Sequence, residues 1–165
     1  MLKRLLIHSF AMPWQVRRKF TPAVCKRIED EITASEQQHL GEIRFVVETQ
    51  LPVRYLFQRC SARHRAVDLF SDLRVWDTEQ NAGVLVYVLY AEKKIEIVVD
   101  RGIAARIHQQ ELNFICQQMA AAYWRSDFAS GSADGIRAIT ALLAKYFPCT
   151  AQKARNELPN NVILL

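Results

Sequence analysis

The sequence predicts an α/β protein, and three observations carry that prediction. Ile43, Phe45 and Val47 alternate with Arg44, Val46 and Glu48, which gives a strand with one strongly apolar face. Two further apolar runs, Val84 to Tyr90 and Ile95 to Val99, flank the charged turn Ala91-Glu92-Lys93-Lys94 and read as a central β-hairpin. Between and around these lie segments whose apolar residues recur every three or four positions, as in helices that bury one stripe.

Taken in order, the chain opens with a basic amphipathic arm, residues 1–20, in which Leu2, Leu5, Leu6, Ile7 and Phe10 interleave with Lys3 and Arg4. Residues 1–27 carry seven basic side chains and no acid, whereas the remainder holds 15 basic and 17 acidic residues. The net charge of +5 therefore belongs to the arm, and a nearly neutral body argues against nucleic acid as a partner. Two readings of the arm stay open: attachment to an anionic membrane surface, or packing on its own domain through Phe10, Trp14 and Phe20. His8 and Ser9 interrupt the apolar run and no small-x-small site follows, so a secretory leader is not expected. No run approaches a transmembrane length. The expected location is the cytoplasm, peripheral to the inner face of the membrane.

Thr21-Pro22 supplies an N-cap and a first-turn proline for a helix over about 22–39, with Val24, Ile28 and Ile32 buried and Gly41 as its stop. After the first strand, residues 49–60 read as a loop carrying Arg54, Tyr55, Phe57 and Arg59. Ser61 caps a second helix lined by Ala66, Leu69, Phe70 and Leu73. The first hairpin strand is apolar at every position and suits coverage on both faces, while Glu96 marks the second as nearer an edge. A helix over about 108–125 and another from 127 or 130 to 147 follow, the latter stopped by Pro148. Gly131 and Gly135 leave room for close backbone approach, and His39 and His108 fall at helix ends. The organisation is thus an arm (1–20), a domain (21–148) and a tail (149–165), with Val162 to Leu165 docking on the body or fraying. Cys25, Cys60, Cys116 and Cys149 have no paired spacing and read as small core residues.

Four stretches in this order, Gly41 to Val47, Ala66 to Phe70, Asn81-Ala82-Gly83-Val84-Leu85 and Asp100-Arg101-Gly102-Ile103, resemble the TPM domain family of thylakoid-lumen and bacterial proteins. Phe128 to Ile136 is a fifth, weaker match. The likeness is greatest to short bacterial members encoded beside LemA-type membrane proteins. It implies an α/β/α sandwich with a mixed sheet of about four strands, links to photosystem II repair and acid phosphatase activity, and a LemA-like membrane protein as partner. The chain departs from the family pattern at Ala82, Asp100, Ala104 and Gln109, so the family's catalytic pattern is incomplete here.

An antiparallel hairpin brings the entry of its first strand beside the exit of its second, so Asp77, Glu79 and Asn81 are expected at one rim with Asp100, Arg101 and Gly102. No His-Cys-x5-Arg loop and no Asp-x-Asp-x-Thr opening is present, which removes the covalent phosphatase routes. The hydrolytic route left uses a divalent cation, calcium or magnesium, on Asp77, Glu79 and Asp100, with Arg101 as a phosphate fork. Asp77, Asp100 and Arg101 are then the catalytic candidates; Asn81, Gly102 and Trp76 are binding candidates, Trp76 being expected chiefly as a lid on the core. The same residues also suit solvated turns and caps. The function expected is a noncatalytic interaction module tied to a membrane protein or membrane surface, with metal-dependent phosphomonoester hydrolysis as the alternative.

Overall fold

β1 (Glu42–Glu48) and β2 (Gly83–Leu89) are buried at every position, a pattern that requires a sheet covered on both faces. The computed structural model, which describes residues 2–149 and 156–165, supplies both covers. The sheet order is β3-β2-β1-β4, with β3 (Lys94–Val99) and β4 (Ile163–Leu164) outermost. β2 and β3 form the antiparallel hairpin, and β1 runs parallel to β2 and to β4.

On one face α3 (Pro22–Ser35), α7 (Gln109–Trp124) and α8 (Phe128–Tyr146) cover Ile43, Phe45, Val47, Val84, Val86 and Val88. On the other, α4 (Val53–Phe57) and α5 (Ala62–Asp72) cover Val46, Leu85, Tyr87 and Leu89. The result is the expected α/β/α sandwich. Close contact between α7 and α8 depends on two glycines: a Cβ at Gly131 would stand 2.7 Å from Ala122 Cβ, and one at Gly135 2.4 Å from Met119 Sδ. The edge strand β3 is shielded by Arg63 of α5, whose guanidinium donates to the Ile97 carbonyl.

Several local expectations are corrected. The first helix ends at Ser35 and not near 39, because the Ser35 hydroxyl bonds the Ile32 carbonyl and Leu40 N–H pairs with Phe147 O. Residues 49–60 are not all loop: Pro52 stands at the N-cap of α4, which buries Tyr55 and Leu56. Trp76 is no lid on the core, being 50% exposed. The charged tail pairs with the body through β4 and through Arg44, whose guanidinium donates to the Pro159 carbonyl; the tail's residues 150–155 lie outside the described ones.

The arm forms α1 (Leu2–Phe10) and α2 (Pro13–Lys19) and is folded against the domain, though not through Phe10 and Trp14, which are exposed. Its anchors are His8, Val16 and Phe20. His8 Nδ1 accepts from Leu51 N–H at 3.1 Å, so Nε2 carries the ring proton and donates to Glu92 Oε1 at 3.0 Å. Arg4 Nε donates to the same carboxylate oxygen at 2.7 Å. Burial alone would raise the Glu92 carboxyl, but the hydrogen bonds from His8 and Arg4 outweigh it and hold the group below the usual carboxylate range.

The second face of β1, expected to be the polar one, is also buried. Glu48 accepts from Arg65 Nε at 3.1 Å and Nη2 at 2.9 Å and from the Tyr87 hydroxyl at 2.6 Å. Arg65 also approaches the Tyr55 hydroxyl, which donates to Asp68 at 2.6 Å. Burial and the facing carboxylate push the Tyr87 hydroxyl far up, so it stays protonated and a donor.

Two outcomes are expected. Glu48→Leu leaves Arg65 buried without its partner and costs about 3–5 kcal/mol in urea unfolding, and adding Arg65→Met restores most of the loss. Glu92→Gln costs about 1–2 kcal/mol at pH 7. Because the folded carboxyl titrates below its unfolded value, that contribution is complete above about pH 5 and fades as the pH falls through the folded value. The stability difference between parent and Glu92→Gln therefore closes in acid.

Candidate functional site

The hairpin rim forms as expected, from a tight turn upward. Asn81 N–H donates to Thr78 O at 3.1 Å, the Thr78 hydroxyl accepts from Ala82 N–H at 3.0 Å, and Asn81 adopts the left-handed conformation with φ 49°. Gly83 then passes so near the preceding chain that a Cβ there would stand 1.8 Å from Val75 O. Across the hairpin, Asp100 N–H donates to Gly83 O at 2.9 Å, which places the entry of β2 beside the exit of β3.

Asp100 is the N-cap of α6 (Arg101–Ala104), a helical turn that the sequence reading does not contain. Its Oδ1 accepts from Arg101 N–H at 2.6 Å; its Oδ2 is buried with no hydrogen-bond partner among the described residues. Arg101 reaches back to Asn81, donating from Nε at 3.2 Å and Nη2 at 3.0 Å to the Oδ1 atom. Gly102 lies against the turn, where a Cβ would be 2.5 Å from Asn81 O. Asn81, Asp100, Arg101 and Gly102 are thus one constellation.

Asp77, Glu79 and Trp76, in the turn that precedes it, are exposed. Glu79 N–H donates to Glu157 Oε2 at 2.9 Å, and Glu157 N–H in turn donates to Glu42 Oε1 at 3.3 Å. Among the described residues no group of three or more His, Cys, Asp or Glu is placed to hold a metal ion. The three expected oxygen ligands therefore do not converge: only Asp100 offers an unpartnered buried oxygen, and Arg101 is already engaged by Asn81.

The sequence reading missed Glu42, which is fully buried at the entry of β1 and joins the rim to the tail. An acid on the first residue of a strand buried at every position was the available signal. Burial pushes the Cys116 thiol up to about 12 and also raises Cys25, which makes both poor nucleophiles. His108 is the N-cap of α7, and His39 is fully buried with Nδ1 3.1 Å from Gly41 O.

A three-layer sandwich with its signature residues on one hairpin rim defines a recognisable class of small α/β domain. The TPM domain model matches residues 18–142, and the chain belongs to the TPM domain family. It is similar to the BA42 protein of the psychrophilic bacterium Bizionia argentinensis, known from its NMR structure, at 29% identity and a TM-score of 0.76, over 88% of this chain and 94% of that one. The solution structure of the N-terminal domain of a P. gingivalis protein shares the fold, with a TM-score of 0.61 at 16% identity over 77% of this chain and 78% of that one. No curated protein matches the chain.

Gly102→Ala is expected to cost about 1–3 kcal/mol, since the opposing atom is a backbone carbonyl in a closed turn. Amide NMR of that variant should move Asn81 and Arg101 together and leave Asp77 and Glu79 in place.

Proposed function

We propose that this TPM domain protein is a noncatalytic interaction module that docks on an anionic membrane surface through α1 and α2. One observation carries the reading: Leu2, Leu6 and Phe10 recur every fourth residue on α1, forming one stripe, and are 73%, 50% and 73% exposed. α1 is already held to the domain by His8 and Arg4 on its inner side, so this outer stripe is surplus to folding. Trp14, 61% exposed, extends it onto α2, whose last turn carries Arg17, Arg18 and Lys19. Apolar side chains that sink to the headgroup boundary, flanked by cations that meet anionic lipid, are the requirement for a helix lying in that plane. No described helix is long and apolar enough to cross a membrane. A LemA-like membrane protein is the alternative partner for the same residues 1–20.

The alternative, metal-assisted phosphomonoester hydrolysis, has one observation in its favour, the unpartnered buried Asp100 Oδ2. It requires that Asp77 and Glu79 approach that oxygen, a movement of the 76–81 turn. A noncatalytic rim predicts that turnover of an aryl phosphate with calcium or magnesium is the same for parent and Asp100→Asn.

For the membrane reading, the full chain is expected to co-sediment with phosphatidylglycerol-containing vesicles, less so at high salt and at least tenfold less with pure phosphatidylcholine. Leu6→Ser, Phe10→Ser and Trp14→Ser combined should remove binding and leave the melting temperature unchanged, because all three side chains are exposed. Equal sedimentation with both lipids, or binding unaffected by the triple variant, would reject it.

A further inference from the structure

Beyond the outer stripe, α1 has a second feature: it roofs an apolar cleft of about 320 Å³. The floor is the carboxyl end of β2 and the start of β3, at Val88, Tyr90 and Ile95; one wall is the end of α7, at Ala120, Tyr123 and Trp124. Ile7 and Phe10 of the arm close the other side. Open α/β sheets place ligands outside the carboxyl ends of their strands, and the volume lies at the lower end of the roughly 300–1,000 Å³ typical of small-molecule sites.

The charges at the cleft have one sign. Among the described residues that line it, Lys19 and Lys93 are the only ionisable cations and none is a carboxylate. Lys93 Nζ sits 3.7 Å from the Trp124 ring centroid and Lys19 Nζ 5.5 Å from that of Phe128, so both ammonium groups are held over aromatic faces at the mouth. Neither forms an ion pair with a described residue, whereas Glu92 next door is occupied by Arg4, His8 and Lys94. Of the other polar lining groups, the Tyr123 hydroxyl is 2.6 Å from Ser132 Oγ, and Gln15 accepts from Met12 N–H.

We infer that this cleft binds a single-chain amphiphile with an anionic head, a medium-chain fatty acid, with the alkyl chain on Val88, Ile95 and Ala120 and the carboxylate between Lys19 and Lys93. A lining made mostly of apolar side chains suits an alkyl chain better than a sugar or nucleotide, and two cations with no carboxylate among the described lining residues do not suit a metal ion. The cleft shares Phe10 and Lys19 with the surface proposed to meet the membrane, but its slot is formed by Val88, Ile95 and Ala120, which that reading does not use.

The test is a titration of the ¹⁵N-labelled full chain with sodium decanoate below its micelle concentration, with decanol as the uncharged control. Saturable shifts are expected at Ala91, Lys93, Ala120, Trp124 and Phe128, with decanol about tenfold weaker. Lys19→Ala with Lys93→Ala should weaken decanoate about tenfold, since each exposed ion pair contributes a few-fold, while the amide shifts of β1 and α5 stay at their parent values. Ala120→Phe should block the slot with both lysines in place. Shifts confined to Leu2 and Leu6, decanol binding as tightly as decanoate, or no saturable shift would each overturn the proposal; the first of these would leave the membrane reading standing.

Discussion

Everything in this fold follows from the burial of β1 and β2 along their whole length. A strand with no exposed position must be flanked by paired strands and covered by helices above and below, which is why the hairpin, the α4–α5 crossover and the α3–α7–α8 layer are all obligatory. The cost of that burial falls on β1, which carries Glu42, Arg44 and Glu48. Each is met by a specific partner: Glu157 for Glu42, Pro159 and Asn161 for Arg44, and Arg65 with Tyr87 for Glu48. Three of those partners come from the tail, one from α5 and one from β2, so the charges on one strand fix how remote segments seat.

The two ends of the sheet differ in chemistry. At the amino ends of β1 and β2 lie Asn81, Asp100, Arg101 and Gly102, a constellation largely satisfied by its own bonds, in which Arg101 holds the turn that Gly102 packs against. At the carboxyl end of β2 lies an apolar cleft with unpaired cations and a helical roof. The side chains most available for contact therefore sit at the end away from the family signature, and on the arm that the family match, beginning at residue 18, barely includes.

The elements were legible in the sequence where one local pattern decided them. Val84 to Val99 could only be a hairpin, and Ile136, Ile139, Leu142 and Leu143 could only be a helix stripe. Short helices were not legible: α4 rests on Tyr55 and Leu56 finding the α5 face, and α6 on Asp100 capping a single turn. The rim was half legible. Strand pairing brings Asn81 to Asp100 by geometry alone, but Asp77 and Glu79 lie in a turn whose direction is set by Thr78 and by Glu157, some eighty residues away. No periodicity reports such a contact. For the same reason the Glu48–Arg65 pair was invisible, since alternation marks a face as polar without saying whether water or another side chain meets it.

Arg63, which reaches from α5 to the Ile97 carbonyl, gives the outer strand of the hairpin a guard. Open strand edges are templates on which further chains add and grow into fibrils. An apolar strand reading Ile95, Ile97, Val98, Val99 is the kind of segment that seeds such growth, and here one guanidinium occupies a main-chain acceptor on it. An incoming strand would have to displace that guanidinium before it could pair at Ile97.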